Sequence, residues 1–103
     1  MKKQYENIFC IVNEGFQDAV MEAAWEEGAT GGTVLSARGT GSKNAEKDFG
    51  IVIHDEKVIV LIIVPSAIKE KVMHAIYKKC GLNTSGQGIA FSMPVSDVVG
   101  INS

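Results

Sequence analysis

Several features that would announce a function class are missing from this chain. There is no basic excess: 10 Lys and Arg stand against 12 Asp and Glu, a net charge of -2, so no electrostatic field points to nucleic acid. No apolar run approaches the ~20 residues that span a bilayer; the longest, Val58 to Val64, is strand-sized. Lys2 and Lys3 precede only a short apolar segment with no small-residue cleavage site, so a secretory leader is not expected. The two cysteines, Cys10 and Cys80, lie far apart in sequence with no CxxC spacing. That argues against zinc and redox motifs and for buried free thiols in a reducing, cytoplasmic compartment. There is no GxSxG elbow, no HExxH and no GxxxxGK[ST], the signatures of common hydrolase and nucleotide-cleaving chemistry. The adjoining acids Glu26-Glu27 and Asp55-Glu56 read as solvated charges, the latter pair in a turn that also places His54 at a solvated hairpin end. His74 reads as a surface or interface residue, and Trp25 and Met21 as packing residues. An enzyme is therefore not expected.

What is present fits one folded domain over residues 1–103. Hydrophobic residues make up 46% of it and recur along nearly its whole length, which excludes disorder. Tyr5 to Val12 predicts a strand. Phe16 to Glu27 predicts an amphipathic helix, with Phe16, Ala19, Val20, Ala23 and Ala24 on one face and Gly28 past its end. Gly32 to Arg38 and Val58 to Val64 predict strands around a polar loop, Gly39 to Asp55, whose stretch from Phe49 to His54 could extend a hairpin. Pro65 ends the third strand, and Ser66 is a candidate N-cap for a helix in which Ile68, Val72, Ala75, Ile76 and Lys79 share a face, only the lysine polar, and which Gly81 closes. Beyond a second loop, Ile89, Phe91, Met93 and Val95 alternate with Ala90, Ser92 and Pro94, the period of a strand. The order β-α-β-β-α-β predicts an α+β, ferredoxin-like fold: a four-stranded antiparallel sheet with two helices on one face.

That fold leaves a problem. Val58 to Val64 is apolar at odd and even positions alike, as is Ile8 to Val12, so both faces of these strands want burial. Two helices cover one face only. At ~25 cal/mol per Å² of apolar area, leaving the other bare is costly. The expectation is that the second face is buried in an oligomer; the alternative is that the long loop folds over it.

Five glycines crowd the stretch Gly28 to Gly41, and a second cluster, Gly86-Gln87-Gly88, precedes the last strand. Glycine is entropically expensive in ordered structure, so such clusters suggest close backbone approach to a chain or ligand. A Rossmann reading fails, because the glycines do not sit between a strand and a helix. Two clusters abutting the same sheet edge, with Lys43 and Lys47 in the joining loop, would make an anion cradle; each cluster alone is ordinary turn chemistry.

The stretches Gly28-Ala29-Thr30-Gly31-Gly32-Thr33-Val34, Arg38-Gly39-Thr40-Gly41, Val58 to Pro65 and Gly86-Gln87-Gly88-Ile89-Ala90-Phe91-Ser92-Met93-Pro94-Val95, in that order over nearly the whole chain, resemble the PII signal-transduction family (nitrogen regulatory protein P-II). The resemblance implies a non-catalytic homotrimer whose sheets pack inward. It implies adenine nucleotides in clefts between subunits, and a loop between the second and third strands that contacts a target protein. It places Gly31 and Thr33 near the nucleotide, Gly39 and Gly41 at the root of that loop, Gly86, Gln87 and Gly88 in the turn before the last strand, and Lys57 at the start of the third strand. Lys43 belongs to both the ligand cleft and the partner-binding loop, whose other candidates are Ser42, Asn44, Glu46, Lys47 and Phe49.

The departures are specific. Ile89 stands where the family has a lysine, Gly100 and Asn102 where it has paired arginines, and Leu61 where it has a glutamate. The loop is shorter and has no tyrosine for modification. Each lost cation removes a charge-assisted bond worth about 1.5–3 kcal/mol. Lys43, Lys47 and Lys57 are possible replacements, and a smaller or less charged ligand is the alternative to ATP, ADP or AMP. No resident cofactor is expected, nor nucleic acid nor membrane insertion; the partners are sister subunits, a small-molecule effector and a target protein. Two rivals stand beside this reading: a metal-linked trimer resembling the CutA cation-tolerance proteins, with His54, His74, Cys10 and Cys80 as ligands, and a ligand-free structural oligomer.

Overall fold

The computed structural model describes residues 3–40, 54–83 and 88–101. The elements follow the expected order: β1 (Tyr5–Asn13), α1 (Gln17–Glu26), β2 (Thr33–Thr40), β3 (His54–Pro65), a 3-10 turn (Ser66–Ile68), α2 (Lys69–Lys79) and β4 (Gly88–Val95). The strands form one antiparallel sheet in the order β2-β3-β1-β4, the ferredoxin-like arrangement.

The period of two in the strands decides where the core sits. Ile8, Cys10 and Val12 lie opposite Ile62, Val60 and Val58, and all six are buried. Cross-strand partners share a face, and this face meets Val20, Met21, Ala23 and Ala24 of α1 and Val72 and Ile76 of α2. Small residues on α1 let it lie close to the sheet. The helices are also clamped to each other: the Lys79 ammonium reaches Glu26 at 3.2 Å and Glu22 at 3.3 Å. The hydrogen bonds that the Lys79 ammonium donates to these carboxylates, Glu26 first, hold it above its usual range. Cys10 and Cys80 are free and buried, as expected. Burial, with nearby Cys80 adding to it, pushes the Cys10 thiol up to about 12.

Several local expectations are corrected. Residues 54–56 are not a turn: His54, Asp55 and Glu56 continue β3 and pair with Thr40, Gly39 and Arg38, because β-pairing satisfies backbone groups that a turn would leave to water. Lys57 accordingly lies inside β3 rather than at its start. Ser66 does not cap α2. It opens the 3-10 turn, its amide donates to the Gln4 carbonyl, and Ile68 stands at the cap position without a side-chain bond. Trp25, 54% exposed, is not a packing residue, and Phe16 lies ahead of α1 and is only partly covered, at 39% exposed.

Candidate functional site

The second sheet face carries the unusual surface. Register puts Asn7, Phe9 and Ile11 of β1 level with Ile63, Leu61 and Ile59 of β3, and with Met93, Phe91 and Ile89 of β4. Thr33 and Leu35 of β2 extend the rows. No helix among the described residues covers them. Phe91 is 40% exposed and Ile89 57%; Phe9 and Phe91 stack with ring centroids 5.1 Å apart. In β4 the alternation is inverted relative to an ordinary half-solvated strand. Its large apolar residues face outward, while Ala90 and Ser92 face the helix layer.

At the margin of this face lies a shallow cleft of about 340 Å³, lined by Asn7, Thr30, Gly31, Gly32, Thr33, Leu61, Ile63 and Ile101. The chain arrives here from α1 and turns into β2. Gly32 explains why it runs so close to β3: a Cβ there would stand 2.9 Å from Met21 Sδ and 3.0 Å from the Leu61 carbonyl oxygen, a fit only glycine makes without displacement. Gly31 has no such neighbour, so nothing described within this chain demands a glycine there. Asn7 carries a buried side-chain oxygen, Oδ1, without a hydrogen-bond partner among the described residues.

The remaining described candidates lie at the other end of the sheet. Gly39 is paired with Asp55 in β2–β3, and six residues of extended chain, about 20 Å, separate it from Thr33. Lys57 sits between Ala37 and Asn13 in register, and its Nζ donates to Asn13 Oδ1. Gly88 opens β4 opposite Val12. Its φ of +145° and a virtual Cβ pressed against the Ile11 carbonyl oxygen exclude side chains. It also lines a second cleft, of about 420 Å³, with Met73, His74, Tyr77, Leu82, Ile89 and Ala90. His74 and Tyr77 stack along α2 with centroids 6.4 Å apart.

The expectation of two glycine clusters on one sheet edge is therefore corrected. β2 and β4 are the opposite edges of the sheet, because β3 and β1 pair between them. Within one chain Gly31 and Thr33 form one group, near the cleft. Gly39, Lys57 and Gly88 gather toward the opposite end, on separate strands. Gly41, Ser42, Lys43, Asn44, Glu46, Lys47, Phe49, Gly86 and Gln87 lie outside the described residues. Asn7 was not singled out from sequence, although it is the polar break just before the apolar run Ile8 to Val12. For the metal-linked rival, no group of three or more His, Cys, Asp or Glu able to hold a metal ion occurs among the described residues. No helix there is long and apolar enough to cross a membrane.

Comparison with known proteins accords with this architecture. The chain matches the family of nitrogen regulatory protein P-II over residues 5–103. Among solved structures it is similar to Arabidopsis thaliana PII bound to citrate, at 25% identity and a TM-score of 0.74, covering 97% of this chain and 82% of that one. It is also similar in fold to the B. subtilis GlnK–ATP complex, at 16% identity and a TM-score of 0.73, covering 93% and 85% of the two chains. No curated protein matches it in sequence. The chain belongs to the P-II family.

Proposed function

We propose that this P-II protein is a non-catalytic, cytoplasmic homotrimer that senses a small molecule in clefts between its subunits and signals through the segment joining β2 to β3, residues 41–53, to a partner protein. The carrying observation is the bare sheet face. Phe9, Leu35, Ile59, Leu61, Ile63, Ile89, Phe91 and Met93 form a continuous apolar surface on which Leu35, Ile63, Ile89, Phe91 and Met93 are exposed, the kind of patch that marks an interaction site. Three copies packed face to face around an axis remove it from water.

Assembly also gives the divided candidate residues a reason. Gly31 and Thr33 of one subunit, at the β2 edge, can meet the sheet end of a neighbour, where Gly39, Lys57 and Gly88 lie. A single chain cannot bring the two groups together. Gly31, with open space around it, then serves approach by a second chain or a ligand. A relative bound to citrate and another bound to ATP support an effector of the class of adenine nucleotides or small anions. Binding at the root of the segment joining β2 to β3 changes which of its conformations are populated, and that shift is what the partner reads.

Sedimentation equilibrium combined with calorimetric titration of ATP, ADP, AMP, citrate and 2-oxoglutarate tests this. A trimer that takes up heat-detected ligand is the expected result. A stable monomer at micromolar concentration, or a trimer silent toward every one of these compounds, would falsify the sensing role.

A further inference from the structure

We propose that the outer surface of the two helices is a second, weaker interface between copies of this chain, in which a two-fold axis parallel to the helices sets the acidic α1 of each copy against the basic α2 of the other. The contact is separate from the assembly proposed above, because the helices and the open sheet face lie on opposite sides of the sheet.

Charge is divided between the helices. From Glu14 to Glu27 the chain has five carboxylates and no lysine or arginine; from Lys69 to Lys79 it has four lysines and one glutamate. Asp18, Glu22 and Glu26 are exposed on α1, as are Lys71, Lys78 and Lys79 on α2. The acids are also poorly matched to their own helix. Glu26 ends α1 and Glu27 follows it, the last turn has no basic residue, and the helix dipole is negative there. Lys79 answers Glu22 at 3.3 Å and Glu26 at 3.2 Å. Its neighbour Lys78 is exposed and has no ion pair among the described residues.

The Lys79 pairs also fix the relative height of the helices: the last turn of α2 stands beside the second half of α1. Trp25, 54% exposed, and Tyr77, 46% exposed, are the large apolar residues that the helices leave in water. They stand at about the same height, two residues or fewer from the paired Glu26 and Lys79. At 3.6 residues per turn, Trp25 falls on the flank of α1 away from α2. Tyr77 falls on the far flank of α2, where it shares a cleft with Gly88 and Ile89 of β4. Of the two in-plane axes that bring such layers face to face, the one across the helices lays α1 on α1, acid on acid, which repels. The one along them lays carboxylates on lysines and sets Trp25 of each copy opposite Tyr77 of the other. One surface thus carries both halves of its own complement, the requirement of an isologous contact. Helices of ten and eleven residues offer little area, so the contact is weak and reversible.

Sedimentation velocity of the full chain tests this over a range of protein concentrations at about 0.01 M and about 1 M NaCl, between which the Debye length shrinks from ~30 Å to ~3 Å. At low salt the mean mass is expected to climb with concentration beyond that of the sheet-face assembly; at high salt it is expected to stay level. Trp25, the only tryptophan, is expected to become less accessible to acrylamide as the mass climbs. Glu22→Lys and Lys78→Glu both leave the pair of Lys79 with Glu26 in place. Each alone is expected to weaken the association on the order of tenfold, since the two-fold axis repeats every reversed pair. An equimolar mixture of the two restores opposite charges across the contact and is expected to recover it, a result that damage to folding cannot produce. A mass independent of concentration at low salt overturns the proposal whether or not the variants fold. So does an association that persists at high salt, or a mixture that associates no more tightly than its components. The sheet-face assembly is read from the mass at high salt, so its failure and the failure of this contact are distinguishable.

Discussion

The two faces of the sheet are built from the same kind of residue and meet opposite fates. On the helix side, Ile8, Val60, Ile62 and Val64 are fully buried within one chain. On the other, Leu35, Ile63, Ile89, Phe91 and Met93 are each more than one-third exposed. Hydrophobicity alone does not separate them; what separates them is that α1 and α2 both return to the same side. One face is therefore completed by the helices, and the other is left uncovered by the described residues. The stability of the single chain belongs to the first face, and assembly, as proposed, to the second.

This division is open to direct attack. The largest effect is expected from Phe91→Asp, which puts a charge beside Phe9 at the centre of the open face. Sedimentation should change from trimer to monomer while far-UV circular dichroism keeps its α+β shape; an unchanged trimer would separate the open face from assembly. Ile62→Ala should act on the other side of the ledger, costing about 2–5 kcal/mol in chemical denaturation through the cavity it leaves in the core.

The third prediction uses pH. Burial raises the folded Cys10 thiol from 9.0 to about 12, so the folded state keeps a proton that the unfolded chain gives up. This contribution is intact below pH 9 and declines progressively as pH rises toward 12, by up to about 4 kcal/mol at 1.36 per pH unit. Urea midpoints between pH 8 and 11.5 should fall more steeply for the native protein than for Cys10→Ala, and parallel curves would refute the buried-thiol account. The smallest effect is expected at the exposed seam between the helices. Lys79→Met removes the ion pairs with Glu22 and Glu26, yet it should barely move the melting temperature, and less still in high salt, because solvent and ions screen such pairs.

Much of the fold was legible in the chain because strand and helix periods differ and glycine and proline punctuate them. Gly28, Pro65 and Gly81 each mark a boundary near where an element stops. The failures are where local preference lost to pairing. Asp55 and Glu56 look like turn residues, but antiparallel register with Gly39 and Arg38 holds them in β3. Ser66 looks like a cap, but its amide donates to the carbonyl of Gln4, just ahead of β1. The candidate site was legible only in part. Glycines advertise themselves, whereas Asn7 draws notice only once Ile63 and Met93 are seen beside it.

What the linear order of residues determined unaided was the sequence of elements and the greasiness of both sides of β1 and β3, since alternation and run length are properties of neighbours along the chain. Which side the helices would choose, that β2 and β4 would occupy opposite edges, and that an asparagine's side-chain oxygen would end up buried beside a glycine-lined cleft were decided only by the tertiary structure. These depend on strand order and register, which arise from backbone pairing between residues distant in the chain and leave no local mark.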